Sequence, residues 1–151
     1  MSIFHLLRKS FNTDFINHVS GDWALLFARL FFGLSMAFAH GMNKLPPSDK
    51  FVSYIAELGF PFPELFALQA GISECVGGLL IAIGLATRLS AFTLIFTMFV
   101  AVFLAHADDP YKKMELGLCY LFAFGLFMTL GGGRFSLDHL LFKTKNEAIE
   151  G

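Results

Sequence analysis

Four stretches of this chain, residues 23–42, 65–85, 89–107 and 114–132, are apolar almost throughout and show no polar stripe at helical spacing. Each is near the ~20 residues that a helix needs to cross the ~30 Å hydrocarbon core of a bilayer. Apolar and polar residues do not alternate at period two in any of them, so spanning helices are predicted in place of barrel strands. Ahead of the first stretch, Phe4, Leu7, Phe11 and Phe15 recur at helical spacing while Arg8, Lys9, Asn12 and Asp14 fall elsewhere. That is the pattern of an amphipathic helix lying in the membrane interface. Gly21 and Asp22 are expected to break and cap the entry to the first span, with Trp23 at the headgroup level. The pattern predicts an all-α, polytopic membrane protein: an amphipathic interfacial segment over residues 1–22, an antiparallel bundle of four transmembrane helices over 23–142, and a polar tail over 143–151.

The connections are short, so the four helices must pack as one domain. The longest runs from Asn43 to Pro63, interrupted by Pro46-Pro47, Gly59, Pro61 and Pro63, with room for a short helix over Asp49 to Leu58. Lys and Arg outside the spans are slightly more numerous on the side of the termini, which predicts cytoplasmic termini. Composition points the same way, with 56% of the residues hydrophobic and 20 of them Phe against about 45–50% apolar in soluble domains. A soluble helical bundle, the alternative, would need a polar stripe that these helices lack. A net charge of −1 and the absence of a basic run make nucleic acid an unexpected partner. Cys75 and Cys119 form no CxxC pair and fall inside predicted spans. They read as small buried hydrophobes and not as a redox dithiol or a zinc site.

Five ionisable residues, Arg29, His40, Glu74, His106 and Glu115, lie within or at the ends of the apolar stretches. Such a group costs several kcal/mol in hydrocarbon, so it has an internal partner or lines a functional cavity. With 1.5 Å of rise per residue and each span centred on the midplane, Glu74 is central and Arg29 lies ~5 Å to the cytoplasmic side. They are expected to pair, as a buried strut or as a proton relay. Gly71, Gly77 and Gly78 around Glu74 allow close helix packing, and the same groove leaves room for a ligand. His40, His106 and Glu115 all fall ~11 to 12 Å from the midplane on the opposite side, with Gln69 near that level and Lys44 one turn beyond His40. These five read as interfacial polar residues or as a pocket that binds and protonates a quinone-like headgroup. A metal site is not expected, because no dense ligand spacing such as HxxxH occurs. Beyond the spans, an Arg88 to Asp138 salt bridge is expected to lock the turn between spans 2 and 3 to the tail, and Ser136 to cap a short final helix.

Arg29, His40-Gly41, Lys44, Glu74 with Gly77-Gly78, Gly84, Thr87-Arg88, His106, Glu115 and Ser136-Leu137-Asp138, in this order, resemble the DoxX family of small bacterial membrane proteins. The resemblance covers about residues 23–141. It implies a four-helix bundle in the bacterial cytoplasmic membrane, associated with redox systems such as quinone-linked oxidoreductases and membrane complexes with detoxifying enzymes. Related redox-associated membrane proteins carry paired cysteines, which this chain lacks. The expected function is that of a membrane component of a redox system that meets a quinone or a redox partner protein, with no covalent cofactor. Candidate ligand residues are His40, Lys44, Gln69, His106 and Glu115. A small transporter built on Glu74 and an assembly protein without catalysis are the alternatives, and self-association is left open.

Overall fold

The computed structural model of the chain describes residues 19–141. The expected interfacial segment, apart from its last residues, and the tail over 143–151 lie outside the described residues. Helix α1 runs Val19–Lys44, passing through a π-helical turn at Met36–Gly41 and a 3₁₀ turn at Met42–Lys44. A short helix α2 follows at Asp49–Glu57, started by Ser48, whose Oγ accepts a hydrogen bond from Phe51 N at 3.3 Å. Helix α3 spans Pro63–Ile83 with a π-helical turn at Ser73–Gly77, α4 spans Thr87–Ala105 and ends in a third such turn at Ala101–Ala105, and α5 spans Tyr111–Leu130. Four of these helices, all but α2, are long and apolar enough to cross a membrane.

Gly21 and Asp22 do not break the first helix, which passes through both. A carboxylate suits the positive end of a helix, and Asp22 finds partners at Arg134, whose backbone N–H donates to Oδ1 at 3.3 Å and whose Nε lies 3.8 Å from Oδ2. The core is mainly apolar with polar groups set into it, and the exterior is apolar as well. Arg29, Ser73, Glu74, Thr87, Ser90 and Thr97 are buried, whereas Phe27, Phe31, Phe38, Phe92, Phe99 and Phe122 face outward. Water would not tolerate so continuous an apolar exterior, and lipid requires it.

Helix α1 crosses α3 at backbone distance. A Cβ at Gly33 would stand 2.6 Å from the Gly78 carbonyl oxygen, and one at Gly78 would stand 2.7 Å from the Gly33 carbonyl oxygen. Two helices without hydrophobic drive between them gain most of their association from such small-residue contacts. Leu94, Met98, Phe124 and Phe127 join Met36 and Ile81 in the apolar core that ties α4 and α5 to this pair.

Gly84 ends α3 at φ +73, the left-handed conformation that glycine adopts without penalty. The turn that follows is held by Asp138, whose carboxylate accepts from Ala86 N at 2.7 Å and Thr87 N at 2.9 Å. The expected Arg88 to Asp138 bridge is therefore not formed, and Arg88 instead donates to the Thr129 carbonyl at 3.3 Å. The free N–H groups at the start of α4 engage that carboxylate better than a solvent-exposed guanidinium would. Ser136 does cap the last turn of helix, accepting from His139 N at 3.1 Å.

Candidate functional site

The two buried charges predicted to meet do not meet. Arg29, fully buried, donates to the carbonyls of Ile81 at 3.3 Å, Ala82 at 3.4 Å and Phe135 at 2.5 Å. It thus engages C-terminal carbonyls of α3, Ala82 and Ile81, the latter shared with Gly84 N–H at 3.2 Å, and pins the segment after α5 to them. The mismatch with Glu74 has a plain cause. Helices α1 and α3 are offset along their axes: Gly33 meets Gly78 and Ala82, so Arg29, one turn before Gly33, reaches the C-terminal end of α3 and not its centre. Gly41, not Arg29, lies against the backbone of Glu74 and Cys75.

Glu74 is instead paired with Lys44, Nζ to Oε1 at 2.6 Å, with only 1% of the Glu74 side chain exposed against 31% for Lys44. Local structure explains how they reach each other. Gly41 lets α1 touch α3 at residue 74, and the 3₁₀ turn then swings Lys44 back over the carboxylate. Gly71 admits this return, since a Cβ there would stand 3.0 Å from the Lys44 carbonyl. The second oxygen, Oε2, is buried with no hydrogen-bond partner among the described residues. Buried polar atoms of that kind are uncommon and mark sites where a further group can bind.

Two cavities flank this ion pair and share Lys44, Glu74, Ala101 and His106 in their walls. The larger, about 320 Å³, has aromatic walls of Phe51, Phe60, Phe66 and Phe96, with Gln69 and Thr97 among its few polar groups. Helix α2 covers it, with Tyr54 Oη donating to the Ala105 carbonyl at 3.0 Å and Phe51 stacked 5.4 Å from Lys44 Nζ. The smaller, about 190 Å³, is lined by His40, Tyr120, Met36 and Lys113. The π-helical turns of α1, α3 and α4 all fall beside these cavities, as such turns often do at functional sites. Each inserts extra backbone width and keeps the helices from closing over the space between them.

Of the five candidate ligand residues, the structure brings four to these cavities and leaves one out. His40 packs edge-on to Tyr120 with ring centroids 5.5 Å apart, and Gln69 donates to Ser73 Oγ at 2.8 Å beside the larger cavity. Glu115 sits at the expected level but faces outward from α5, away from both. Depth fixes the level of a residue and says nothing of its direction around the helix. Cys119 likewise faces outward, not into the core.

Sequence reasoning missed Asp109, Thr97 and Tyr120. Asp109 Oδ2 holds His106 Nδ1 at 2.7 Å and its Oδ1 accepts from Lys113 at 2.7 Å. Hydrogen bonds from Lys113 and His106 hold the Asp109 carboxyl below the usual carboxylate range. With Nδ1 engaged, the other ring nitrogen of His106 is the one left for the cavities it lines. The signal is the spacing of His106, Asp109 and Lys113 at i, i+3 and i+7, whose last two members fall in the connection between spans and so outside the apolar pattern. Among the described residues no three His, Cys, Asp or Glu side chains are grouped to hold a metal ion.

Comparison with known proteins agrees with this architecture. Bacillus subtilis CatD, which carries a provisional designation as an oxidoreductase, is 27% identical over 109 residues, covering 72% of this chain and 80% of CatD. An uncharacterised membrane protein of Mycobacterium tuberculosis is 29% identical over 147 residues, covering 83% of this chain and 86% of that protein. An uncharacterised Haemophilus influenzae protein is 36% identical over 83 residues, covering 50% of this chain and 62% of its own length. No solved structure matches. The DoxX family model matches residues 24–107, which hold Arg29, Lys44, Glu74 and His106, and the chain belongs to the DoxX family of membrane proteins.

Proposed function

We propose that this chain is the membrane component of a redox system, and that the cavities around Lys44 and Glu74 receive the headgroup of a quinone or of its reduced form. The observation that carries this reading is the larger cavity: aromatic walls enclosing Lys44, Gln69, Glu74 and His106. Ligand sites of this kind are mostly apolar with a few placed polar groups. Its volume of about 320 Å³ lies at the small end of the range for such pockets, roughly 300 to 1,000 Å³, and suits a ring with its tail left in lipid. Lys44 supplies a donor for a quinone carbonyl, while Glu74 Oε2 and His106 supply acceptors for the hydroxyls of the reduced ring. Electrons would pass to or from a partner protein, in keeping with the provisional oxidoreductase designation of CatD. The bacterial sources of the relatives fit a cytoplasmic membrane, with the site facing away from the cytoplasm. Transport by Glu74 is the rival reading, and the 2.6 Å Lys44 contact favours a binding site over an open ion site.

The test is equilibrium titration of the purified chain in lipid nanodiscs with short-tailed benzoquinone and naphthoquinone analogues. Saturable binding is expected, weakened roughly tenfold or more in His106→Ala and unchanged in Glu115→Gln, a tenfold loss corresponding to about one well-made hydrogen bond. Absence of saturable binding by the wild-type chain would refute the reading.

A further inference from the structure

At the end of the bundle away from the Lys44–Glu74 pair lies a separate, open cavity of about 720 Å³, between the start of α4 and the segment after α5. Arg88, Arg134 and His139 line it, as do two carboxylates, Asp22 and Asp138. The carboxylates are already engaged. Both oxygens of Asp138 accept backbone N–H groups, from Ala86 and Thr87, and Asp22 accepts from the backbone of Arg134. The guanidinium groups are much less so. Among the described residues Arg88 makes a single side-chain hydrogen bond, to the Thr129 carbonyl at 3.3 Å, and the Arg134 side chain is 64% exposed with its guanidinium 3.8 Å from Asp22.

One further feature points to a ligand. Thr87 is fully buried and lines the cavity, and its Oγ1 has no hydrogen-bond partner among the described residues. The wall is also amphiphilic. Leu89 and Leu130, 67% and 44% exposed, line the cavity and continue into the outward apolar faces of α4 and α5.

We propose that this cavity binds a phosphate group carried by an anionic phospholipid, with Arg88 and Arg134 on the phosphodiester and the acyl chains along Leu89 and Leu130. The planar guanidinium fork matches phosphate oxygens in a bidentate manner, which an ammonium does not. Position supports a lipid over free phosphate, since the cavity opens where spanning helices end, at headgroup depth, beside surface that must contact acyl chains. Charge supports an anionic lipid over a zwitterionic one. A choline or ethanolamine group would gain from a free carboxylate, whereas Asp138 is committed at both oxygens to backbone donors. Asp22 is held by Arg134, at Oδ1 by its backbone N–H and at Oδ2 by its guanidinium 3.8 Å away.

The proposal is tested on the full-length chain, delipidated in detergent and offered phosphatidylglycerol and phosphatidylcholine of identical acyl chains, with bound lipid read by native mass spectrometry. Phosphatidylglycerol is expected to be retained in preference, with occupancy falling roughly fivefold for each of Arg134→Ala and Arg88→Ala, what one interfacial cation contributes. Arg134→Ala removes an exposed side chain and decides the matter if Arg88→Ala fails to fold. Equal retention of the two lipids, or wild-type retention by Arg134→Ala, would overturn the proposal. A third arm titrates inorganic phosphate: if millimolar phosphate displaces phosphatidylglycerol and stabilises the chain equally well, the lipid assignment is wrong.

Discussion

Arg29 and Glu74 are the two fully buried charges among the described residues, and the structure surrounds them differently. Arg29 is surrounded by carbonyl oxygens of the protein itself, from Ile81, Ala82 and Phe135, with α3 and the segment after α5 converging on it. Among the described residues Glu74 has one protein partner, Lys44, and a cavity on either side. Each charge keeps one buried atom without a partner among the described residues, Arg29 Nε and Glu74 Oε2, yet only Glu74 stands between two cavities. A buried ionisable residue in a membrane helix is a functional candidate where its open hydrogen-bonding capacity lies beside space that a ligand can enter.

The comparison can be broken by substitution. The largest effect is expected from Lys44→Met, which leaves the Glu74 carboxylate buried without its cation. Removing one partner of a buried pair costs about 3–5 kcal/mol, measurable as a loss of thermal stability in detergent. Lys44→Met combined with Glu74→Gln should recover most of that loss, because no charge is then stranded. Failure of the double variant to recover would mean that the pair is a strut like Arg29. Next is Arg29→Lys, which keeps the charge but cannot reach three carbonyls with a planar fork. A loss of about 1.5–3 kcal/mol is expected, the value of hydrogen bonds to a charged group. Ligand binding per folded molecule should stay intact. If Arg29→Lys instead abolished binding in well-folded protein, the division between the two charges would fail.

A pH effect comes third. Because Asp109 is held below the usual carboxylate range by Lys113 and His106, its contribution is complete above the unfolded-state value near 4 and is lost as pH falls through its lower folded value. Acidification through that window should loosen the loop between α4 and α5 in the wild-type chain, read by hydrogen exchange at residues 106–113, and Asp109→Asn should show no such transition. Smallest of all is Glu115→Gln. On an outward face it should change stability by no more than about 0.5 kcal/mol and leave binding untouched.

The four spans were legible because length and apolar content alone determine what can cross a bilayer, and their observed limits differ from expectation only at the ends. The short helix after Pro47 was legible from its breakers, whereas its Ser48 cap emerged only from the structure. Pairing was not. The sequence shows how far each residue lies along its helix, so His40, His106 and Glu115 could be set at one level, but the rotation of Glu115 away from the cavities depends on how α5 packs. The partner of Glu74 was not legible because the axial offset that sets Gly41 against Glu74 leaves no mark in the sequence, and the 3₁₀ turn at Met42–Lys44 then brings Lys44, not Arg29, to the carboxylate. Three π-helical turns at one level leave no periodic mark in an all-apolar helix, where every face is hydrophobic. Thr97 and Tyr120 were hidden for the same reason, as polar tips in apolar runs whose facing side the sequence does not reveal.

The most direct test of the distinction is the quinone content of protein purified from native membranes, extracted and quantified per mole of folded chain in three forms. Wild type and Arg29→Lys are expected to carry the same amount. The Lys44→Met, Glu74→Gln double variant is expected to carry at least roughly tenfold less while remaining folded, as follows from losing the strongest polar contacts of the headgroup. Equal quinone in the double variant and the wild type, or none in any form, would contradict the account.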